Sequence, residues 1–294
     1  MRVALTGATG FTGRFVSAAL EQVGATPVVL EVDLRDQTAI DQAVDGLDFD
    51  RVIHLAGHAF IDASDWQSFY AVNQLGTLNL LDAVSRKKPG TRCILASSAQ
   101  VYGPNAEGLI TEDAPTNPVN HYAISKRTME EGAELWRDRL EIVVTRPFNY
   151  TGVGQDTQYL IPKIVDHFRR RADVIELGNT WVKRDFGDVR SVADAYAGLA
   201  LANGVPPVVN VATGAASSIG DILDQLTTIS GHHIEVEVNQ AFVRKGDVEV
   251  LAGDATLLRQ TLPGWQPQAI SDTLQWMYAE GETGVVRRGC RDFG

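Results

Sequence analysis

Tyr122 and Lys126 are the residues whose types and spacing most suggest proton chemistry. They stand four apart in a segment with a helical pattern, so their side chains share one helix face. A free tyrosine titrates near ~10, and a nearby ammonium favours the phenolate and lowers its pKa. Ser98, after a predicted buried strand, offers a hydroxyl to a carbonyl or alcohol oxygen. Such a set would move a proton at oxygen while hydride moves at carbon. Taken singly, the pair of Tyr122 and Lys126 also fits an exposed helix face. Ser97-Ser98 also fits an ordinary turn at the end of a strand.

A glycine-rich segment near the start of the chain predicts a site for a pyrophosphate. Val3–Leu5 has the pattern of a buried parallel strand, and Phe11–Leu20 that of an amphipathic helix. Between them Gly7, Gly10 and Gly13 recur at three-residue spacing. Glycine lets the backbone approach a ligand, and the N–H groups at a helix start favour an anion. The spacing differs from the commoner G-x-G-x-x-G, and a tight turn without a ligand is the alternative.

Acidic residues follow the second predicted strand, Pro27–Leu30. A carboxylate at this position can hold the adenosine ribose of a dinucleotide, which makes Glu31 and Asp33 candidates. Such a carboxylate favours NAD because it repels a 2′-phosphate. Arg35 lies close enough in sequence to receive that phosphate instead, and a solvated charged loop is the alternative for all three.

The pattern of apolar segments predicts an α/β fold, namely a Rossmann-type doubly wound parallel sheet with a smaller, interleaved C-terminal substrate lobe. Further predicted strands are Arg51–Leu55, Arg92–Ala96, Glu141–Thr145 and Val208–Val211, and further predicted helices are Trp66–Val84, Tyr122–Arg137 and Ile219–Ile229. We expect residues 1–150 to form the dinucleotide-binding domain, with 180–212 returning to it. Residues 151–179 and 213–294 would form the lobe, and 287–294 a frayed tail.

Composition excludes some classes of function. The chain has 294 residues and is 44% hydrophobic, which allows a sizeable core. Its net charge of −11 disfavours a nucleic-acid partner. No apolar run is long enough for a membrane span, and Met1 leads directly into the first strand, so we expect a cytoplasmic protein. Cys93, expected in the core, and Cys290 provide neither a disulfide framework nor a metal site.

Several motifs together resemble those of the extended short-chain dehydrogenase/reductases, over nearly the whole chain. These motifs are Thr6–Gly13, His54–Gly57, the helix residue Asn73, Ser97–Gly103, Tyr122–Lys126 and Arg146–Asn149. The resemblance implies Ser98, Tyr122 and Lys126 as catalytic residues and NAD or NADP as the cofactor, with no metal. Together with the reasoning above, it gives as cofactor-binding residues Gly7, Thr9, Gly10, Phe11, Thr12, Gly13, Glu31, Asp33, Leu34, Leu55, Ala56, Gly57, Asn73, Ala96, Ser97, Tyr122, Lys126, Pro147 and Phe148.

The second half of the chain resembles the nucleotide-sugar enzymes of that family. The shared segments are Phe148–Gln155, Arg184–Val189, Arg244–Asp247 and Gly264–Pro267. Two arginines suit a diphosphate, because a guanidinium can bind phosphate oxygens bidentately. The alternatives are a local ion pair of Arg184 with Asp185, and a solvated loop at Arg244. The residues implied for the substrate are His58, Ser98, Gln100, Tyr122, Asn149, Arg184, Arg244 and Asp247. Within the family, the segments are most similar to those of GDP-4-keto-6-deoxy-D-mannose reductases.

Some positions depart from the family pattern. Sugar 4,6-dehydratases carry an Asp-Glu pair where this chain has Ala99-Gln100, so we do not expect water elimination. His121 replaces the usual proline before the tyrosine. The loop between the second and third strands is short, which affects the assignment of Glu31 and Asp33.

The expected activity is therefore NAD(P)H-dependent reduction at C4 of a nucleotide-diphosphate 4-keto-6-deoxyhexose, giving a deoxysugar donor such as GDP-rhamnose or GDP-6-deoxytalose. A nucleotide-sugar 4-epimerase is the nearest alternative, because it would use the same residues with a retained cofactor. A non-catalytic dinucleotide-binding sensor is an alternative of another class. The family implies a homodimer, formed through Trp66–Val84 and Tyr122–Arg137.

Overall fold

The computed structural model describes residues 1–59, 65–104, 106–242 and 248–280. Its strands are β1 (Arg2–Thr6), β2 (Thr26–Val29), β3 (Arg51–His54), β4 (Arg92–Ala96), β5 (Gly108–Ile110), β6 (Glu141–Pro147), β7 (Asn149–Thr151), β8 (Val174–Leu177), β9 (Lys183–Arg184), β10 (Phe186–Asp188), β11 (Val208–Val211), β12 (Ser217–Ser218), β13 (Glu235–Val238) and β14 (Val250–Gly253). Its α-helices are α1 (Phe11–Gln22), α2 (Gln37–Gly46), α3 (Trp66–Ser68), α4 (Thr77–Lys87), α5 (His121–Ala133), α6 (Leu160–Arg169), α7 (Val189–Leu201), α8 (Ile219–Ser230), α9 (Thr256–Thr261) and α10 (Ile270–Glu280). A π-helical segment, Phe69–Gly76, joins α3 to α4, and 3₁₀ turns span Ala99–Tyr102, Glu134–Trp136 and Gln240–Phe242.

A six-stranded parallel sheet is the centre of the molecule, in the order β11-β6-β4-β3-β1-β2. The order reverses beside β1, because the chain moves outward to β2 and then returns to β3. The carboxyl ends of β1, β3 and β4 consequently meet at one edge, which is where an open parallel sheet binds its ligands. The predicted Rossmann-type sheet is confirmed.

Neighbouring residues of the strands belong to hydrophobic clusters on opposite faces of the sheet. Val3 and Leu5 pack with α1 and α7 on one face, whereas Ala4 packs with α2, α4 and α5 on the other. The same alternation holds in β4, where Ile94 lies on the first face and Cys93 and Leu95 on the second. Because both faces are covered, the strands read as continuous apolar runs.

Most predicted elements are present with shifted ends. The helix predicted from Ile219 ends at Gly231, whose φ of +62° gives the left-handed cap that glycine favours. A capping box between Ser218 and Asp221 begins it. The helix predicted over Trp66–Val84 is wrong in type for its middle part, because Phe69–Gly76 is π-helical.

A third hydrophobic cluster lies outside the two sheet faces. It joins α6, α8 and α10 with β8 and the segment around Phe186. The long stretch between α7 and α10 returns first to the main sheet as β11 and then reaches this cluster. The predicted domain limits remain a prediction, and residues 287–294 and Cys290 lie outside the described residues. Cys93 is buried, as predicted.

Candidate active site

The turn between β1 and α1 is lined by backbone. Gly7 has a φ of +69°, a region that favours glycine. A Cβ atom at Gly13 would collide with the carbonyl oxygen of Gly7. The Gly10 N–H donates to that same oxygen across 3.1 Å, and α1 begins at the next residue. Because Gly10 has no side chain to cap α1, the first N–H groups of the helix are available to an anion.

An open cleft of about 490 Å³ lies against this turn. It is lined by Thr6, Gly7, Ala8, Thr9, Val29, Leu30, Glu31, Val32 and Ala56. Glycine backbone for a diphosphate and a carboxylate for a ribose hydroxyl are the groups that the adenosine half of a dinucleotide requires. The structure thus brings together several of the predicted cofactor residues. The Asp33 carboxylate is instead bonded to the Arg35 guanidinium, at 2.7 Å.

Gly57 lets two functional side chains approach the chain behind the cleft. A Cβ atom there would lie 2.8 Å from Asn73 Oδ1 and 3.3 Å from Lys126 Nζ. Asn73 Oδ1 accepts from the His58 N–H, and its Nδ2 donates to the His58 carbonyl and to Ser125 Oγ. Buried Asn73 therefore fixes the loop after β3 against α5, a role that the sequence did not indicate.

His54 continues this set of contacts through the sheet. Its Nδ1 lies 2.7 Å from Thr6 Oγ1, and its Nε2 lies 2.9 Å from Thr77 Oγ1. Thr77 donates its hydroxyl proton to the Asn73 carbonyl, so Nε2 is the nitrogen that carries hydrogen. A neutral imidazole satisfies every partner, and burial lowers the pKa of His54 to about 3.

The three predicted catalytic groups converge at the end of β4. The Ser98 hydroxyl lies close enough to the Tyr122 phenol to act on it, and it acts to lower the pKa of the phenol. Lys126 Nζ donates to the Ala96 carbonyl across 2.7 Å. The start of α5 is fixed by its cap Asn120, whose Nδ2 donates to Gln100 Oε1 in the turn that follows Ser98. The local structure thus holds the serine and the tyrosine in register with each other.

Burial sets the protonation of Tyr122 and Lys126. The sequence predicts that Lys126 lowers the pKa of Tyr122, and this prediction is wrong for the structure. Burial raises the pKa of Tyr122 to about 12, and the hydrogen bond with Ser98 offsets only part of that rise. Burial lowers the pKa of Lys126 to about 8, while the Glu130 charge acts to raise it. The phenol therefore keeps its proton at neutral pH and is suited to donate it.

A buried ionic network behind the catalytic helix was missed by sequence reasoning. Glu130, one turn after Lys126, accepts from Ser97 Oγ and from two nitrogens of Arg146, at 3.0 and 2.8 Å. Arg146 also donates to the hydroxyl of Tyr102. The i, i+4 spacing of Glu130 from Lys126 was the available signal. This network joins α5 to the ends of β4 and β6.

Aromatic side chains surround the start of α5. The Trp66 ring stacks on His121, with centroids 4.9 Å apart, and the Tyr70 hydroxyl lies 2.9 Å from His121 Nδ1. Phe69 meets Tyr122 edge-on at 5.7 Å. His121, where a proline is usual in the family, thus packs against α3 and the π-helical segment, directly before Tyr122 in the sequence.

Tyr150 is a second contact that the sequence did not indicate. Its hydroxyl lies 2.9 Å from Thr12 Oγ1, and its ring stacks on Phe11. These contacts fix the first turn of α1, where the predicted residues Phe11 and Thr12 lie, to β7.

The predicted substrate residues Asn149 and Arg184 lie close together in the fold. Asn149 Nδ2 donates to the carbonyl of Asp185 across 3.4 Å, and Arg184 Nη1 donates to the Val248 carbonyl across 3.0 Å. The Asp185 carboxylate accepts from the Thr213 hydroxyl and from the N–H groups of Thr213, Gly214 and Gly253. Asp185 is thus a positioning group for this region. Arg244 and Asp247 lie outside the described residues.

The remaining predicted residues differ in exposure. His58 and Gln100 are exposed, and their side chains are accessible at the edge of the sheet. Leu34 is buried beneath Gly76, and Phe148 is buried with Tyr102. Leu55 and Pro147 are half-buried at the ends of β3 and β6. The parts played by all these residues remain predictions.

Within the described ranges, no cluster of three or more His, Cys, Asp or Glu side chains is arranged to hold a metal ion. The described helices also include none with the length and apolarity needed to cross a membrane.

The chain is similar to curated proteins along most of its length. It is 34% identical to GDP-6-deoxy-D-talose 4-dehydrogenase of Aggregatibacter actinomycetemcomitans, covering 89% of this chain and 91% of that protein. It is 30% identical to GDP-6-deoxy-D-mannose reductase of Pseudomonas aeruginosa, covering 97% of this chain and 98% of that protein. UDP-glucose 4-epimerase of Corynebacterium glutamicum is 25% identical over 91% of both chains.

Solved structures share the fold. A Burkholderia cenocepacia J2315 protein, provisionally described as an epimerase, has a TM-score of 0.91 at 38% identity, covering 96% of this chain and 98% of that one. RMD from Pseudomonas aeruginosa, complexed with NADPH, has a TM-score of 0.86 at 29% identity, covering 96% of this chain and 97% of that one. The family described as GDP-mannose 4,6 dehydratase matches residues 8–277. With its Ser98, Tyr122 and Lys126 assembled beside a glycine turn, the chain belongs to this family of short-chain dehydrogenase/reductases.

Proposed function

We propose that this enzyme reduces the C4 keto group of a nucleotide-diphosphate 4-keto-6-deoxyhexose, with GDP as the favoured nucleotide and NADH or NADPH as the reductant. The observation that carries the proposal is the gathering of Ser98, Tyr122 and Lys126 at the end of β4, where Ser98 interacts with the Tyr122 phenol and Lys126 Nζ donates to the Ala96 carbonyl. Two curated relatives, 34% and 30% identical to this chain, are both named for GDP-6-deoxy sugars, which supports chemistry at that class of substrate.

The chain's own residues would bind the keto oxygen and protonate it. A bound nicotinamide supplies the hydride to C4. The Ser98 hydroxyl donates a hydrogen bond to the C4 oxygen, and the Tyr122 phenol transfers its proton to the alkoxide that develops there. Because the pKa of Tyr122 is raised to about 12, the proton is present at neutral pH. By resemblance to the family, Lys126, whose Nζ is held by the Ala96 carbonyl at the end of β4, would stabilise the phenolate that remains.

Residues 99 and 100 argue against dehydration, although the family description names a dehydratase. Elimination of water needs a general acid and a general base at the sugar carbons. Ala99 has no ionisable group, and the Gln100 amide is bonded to Asn120. A site with only the serine, tyrosine and lysine can complete a reduction.

Asn149 and Arg184 would hold the nucleotide diphosphate. They lie together at the region that Asp185 organises, and a guanidinium can bind phosphate oxygens in pairs. Arg244 and Asp247 complete the proposed substrate set, and His58 and Gln100 are the exposed groups proposed to face the sugar.

The direct test is an assay with purified protein, GDP-4-keto-6-deoxymannose and reduced cofactor. We expect loss of absorbance at 340 nm that depends on the sugar nucleotide, and NMR of the product will give the configuration at C4. Tyr122→Phe should lower kcat by about 10²–10⁴-fold, because it removes the proton donor. Tyr278→Phe, a substitution of the same type in α10, is the matched control and should retain activity.

Two results would overturn the proposal in favour of another function. Turnover of UDP-glucose without added cofactor, with cofactor copurifying, would identify a 4-epimerase, a candidate favoured by the description of the Burkholderia structure. A biological role unchanged by Tyr122→Phe, without reduction of any nucleotide 4-ketosugar, would identify a dinucleotide sensor.

We also propose a cytoplasmic homodimer with the two-part organisation given above. Exposed Leu75 and Leu135 lie on or beside the helices that would form the interface, which supports pairing through that face. Sedimentation equilibrium would test it, and a monomer at micromolar concentration would refute it.

A further inference from the structure

The backbone at the start of α5 is suited to a proline, although this chain has His121 there. The cap residue Asn120 is extended, with a φ of −138° and a ψ of 161°, which is the conformation of a residue before proline. The first N–H groups of a helix have no partner within it, so a proline at the first position removes no helical hydrogen bond. Histidine at this position therefore differs from proline mainly in what its side chain contacts.

Two aromatic side chains hold the His121 imidazole. The Trp66 ring stacks on it, with centroids 4.9 Å apart and an angle of 24° between the planes. The Tyr70 hydroxyl lies 2.9 Å from Nδ1, and the Tyr70 ring meets the imidazole edge-on at 5.7 Å. Trp66 and Tyr70 also meet each other edge-on at 5.8 Å, so the three rings form one aromatic cluster. Because His121 is exposed overall, its position depends on these contacts rather than on burial.

The π-helical segment that supplies Tyr70 also contacts the residues that follow His121. The Phe69 ring meets the Tyr122 ring edge-on at 5.7 Å. One turn later, Asn73 Nδ2 donates to Ser125 Oγ across 3.2 Å, and Ser125 Oγ donates to the Tyr122 carbonyl across 2.7 Å. The segment thus holds α5 before, at and after the catalytic tyrosine. Such π-helical turns are rare and occur frequently at functional sites.

We propose that His121 is a positioning residue for Tyr122. Its contacts with Trp66 and Tyr70 fix the first turn of α5, and this turn carries the phenol to the C4 oxygen of the ketosugar. The inference rests on the proposed reduction, in which the proton donor must lie within hydrogen-bond reach of that oxygen. His121 acts through the helix and makes no contact of its own with the substrate. The aromatic cluster replaces the restriction that a proline ring places on φ.

The chemical step is the quantity that this arrangement controls, because a displacement of about 1 Å can slow a reaction by about 10²-fold. Single-turnover reduction of GDP-4-keto-6-deoxymannose by the whole chain, followed by stopped-flow absorbance at 340 nm, measures that step. His121→Ala should slow it by about tenfold, while KM for the sugar nucleotide and Kd for the reduced cofactor change less than about twofold. His121→Pro should restore the rate to within about twofold of the wild type, because the ring fixes φ without the cluster.

Tyr70 provides a second and smaller test. Tyr70→Phe removes only the hydroxyl that reaches the imidazole, and it should slow the chemical step about threefold. The same substitution should have no effect in the His121→Pro variant, where the imidazole is already absent. His232→Ala is the matched control, since His232 also meets an aromatic ring edge-on, that of Phe168 in the third hydrophobic cluster, and its rate should equal that of the wild type.

Circular dichroism and thermal unfolding establish that each variant is folded, and Tyr70→Phe decides the question alone should His121→Ala not fold. An unchanged rate in His121→Ala, or a loss that His121→Pro does not restore, would overturn the inference and leave the proposed reductase intact. A loss confined to KM would also overturn it, because His121 would then be a substrate contact. Absence of turnover by the wild type with any nucleotide 4-ketosugar would instead overturn the reductase.

Discussion

The neutral His54 imidazole joins the first and third strands of the sheet to the start of α4. Its partners are Thr6 and Thr77, and it is buried. A protonated ring would place a hydrogen on each nitrogen, and Nδ1 would then face the hydroxyl that at present donates to it. The folded state therefore binds this proton much more weakly than the unfolded chain does.

This difference predicts a pH dependence of stability. The pKa of His54 is about 3 in the fold against 6.5 ordinarily, so the unfolded state binds more protons between these values. Stability from His54 is present above about pH 6.5 and is lost toward pH 3, at up to about 1.4 kcal/mol per pH unit. Urea unfolding of the wild type should show this slope, and His54→Gln should flatten it. Parallel curves for the two proteins would refute the assignment.

At the scale of elements, Glu130 fixes α5 to β6 through charge. Glu130→Gln keeps the shape of the side chain but leaves buried Arg146 without its counter-charge. We expect a loss of about 3–5 kcal/mol in unfolding free energy, as when one member of a buried pair is removed.

Glu131→Gln is the matched control. The Glu131 carboxylate is next to Glu130 in the sequence, but it is mostly exposed and pairs only with Arg127 among the described ion pairs. Its loss should therefore lower the unfolding free energy by only about 0–1 kcal/mol. Chemical denaturation of both variants measures the difference, and equal losses would show that the Glu130 network does not stabilise the helix.

The glycine turn gives a second prediction at this scale. Gly13→Ala forces a Cβ against the Gly7 carbonyl, so the turn must shift. We expect a loss of about 1–3 kcal/mol in stability and loss of NADH binding. Gly46→Ala, at the end of α2 with open space around its Cβ, should stabilise by about 0.4–1 kcal/mol and leave binding unchanged. Wild-type affinity for NADH in Gly13→Ala would contradict this account.

The sequence predicted the elements whose cause is local. Val3–Leu5 and Arg92–Ala96 are buried on both sides, so their apolar runs identify them as strands. Ser98, Tyr122 and Lys126 stand in recognisable motifs. The π-helical stretch Phe69–Gly76 could not be predicted, because its apolar spacing suits an α-helix equally well.

Contacts between distant residues escaped prediction for a related reason. Glu130 reaches Arg146 and Tyr150 reaches Thr12 only through the packing of whole elements. The pKa of Tyr122 was mispredicted because the pattern shows the nearby charge but does not show how strongly burial disfavours the phenolate. The sequence marks Asp33 and Arg35, two residues apart, as candidate groups near the cofactor, but only the structure shows that they form an ion pair with each other.

At the scale of the whole molecule, Asp188 connects the sheet to the C-terminal cluster. It caps α7, accepts from the guanidinium of Arg190 and accepts the hydroxyl hydrogen of Thr273 in α10. Arg190 in turn lies 3.9 Å over the ring of Trp276. The buried Asp188 carboxylate thus forms hydrogen bonds with α7, which packs against the main sheet, and with α10, which packs in the third hydrophobic cluster.

Asp188→Ala should lower the unfolding free energy by roughly 3 kcal/mol, because it leaves buried donors without their acceptor. Hydrogen exchange should also quicken in α10 more than in α1. Asp194→Ala, an exposed position on the same helix, should change stability by less than about 0.5 kcal/mol. Uniform quickening across the molecule would show that Asp188 does not couple these parts specifically.

Successive side chains of the central strands alternate between the two faces of the sheet, and this limits where residues can be inserted or deleted. Insertion or deletion of one residue within β3 or β4 would turn every later side chain of that strand toward the wrong helices. It would also rotate the strand end that carries Gly57 or Ser98 away from its neighbours. Tolerated length variation is consequently confined to the connections between elements.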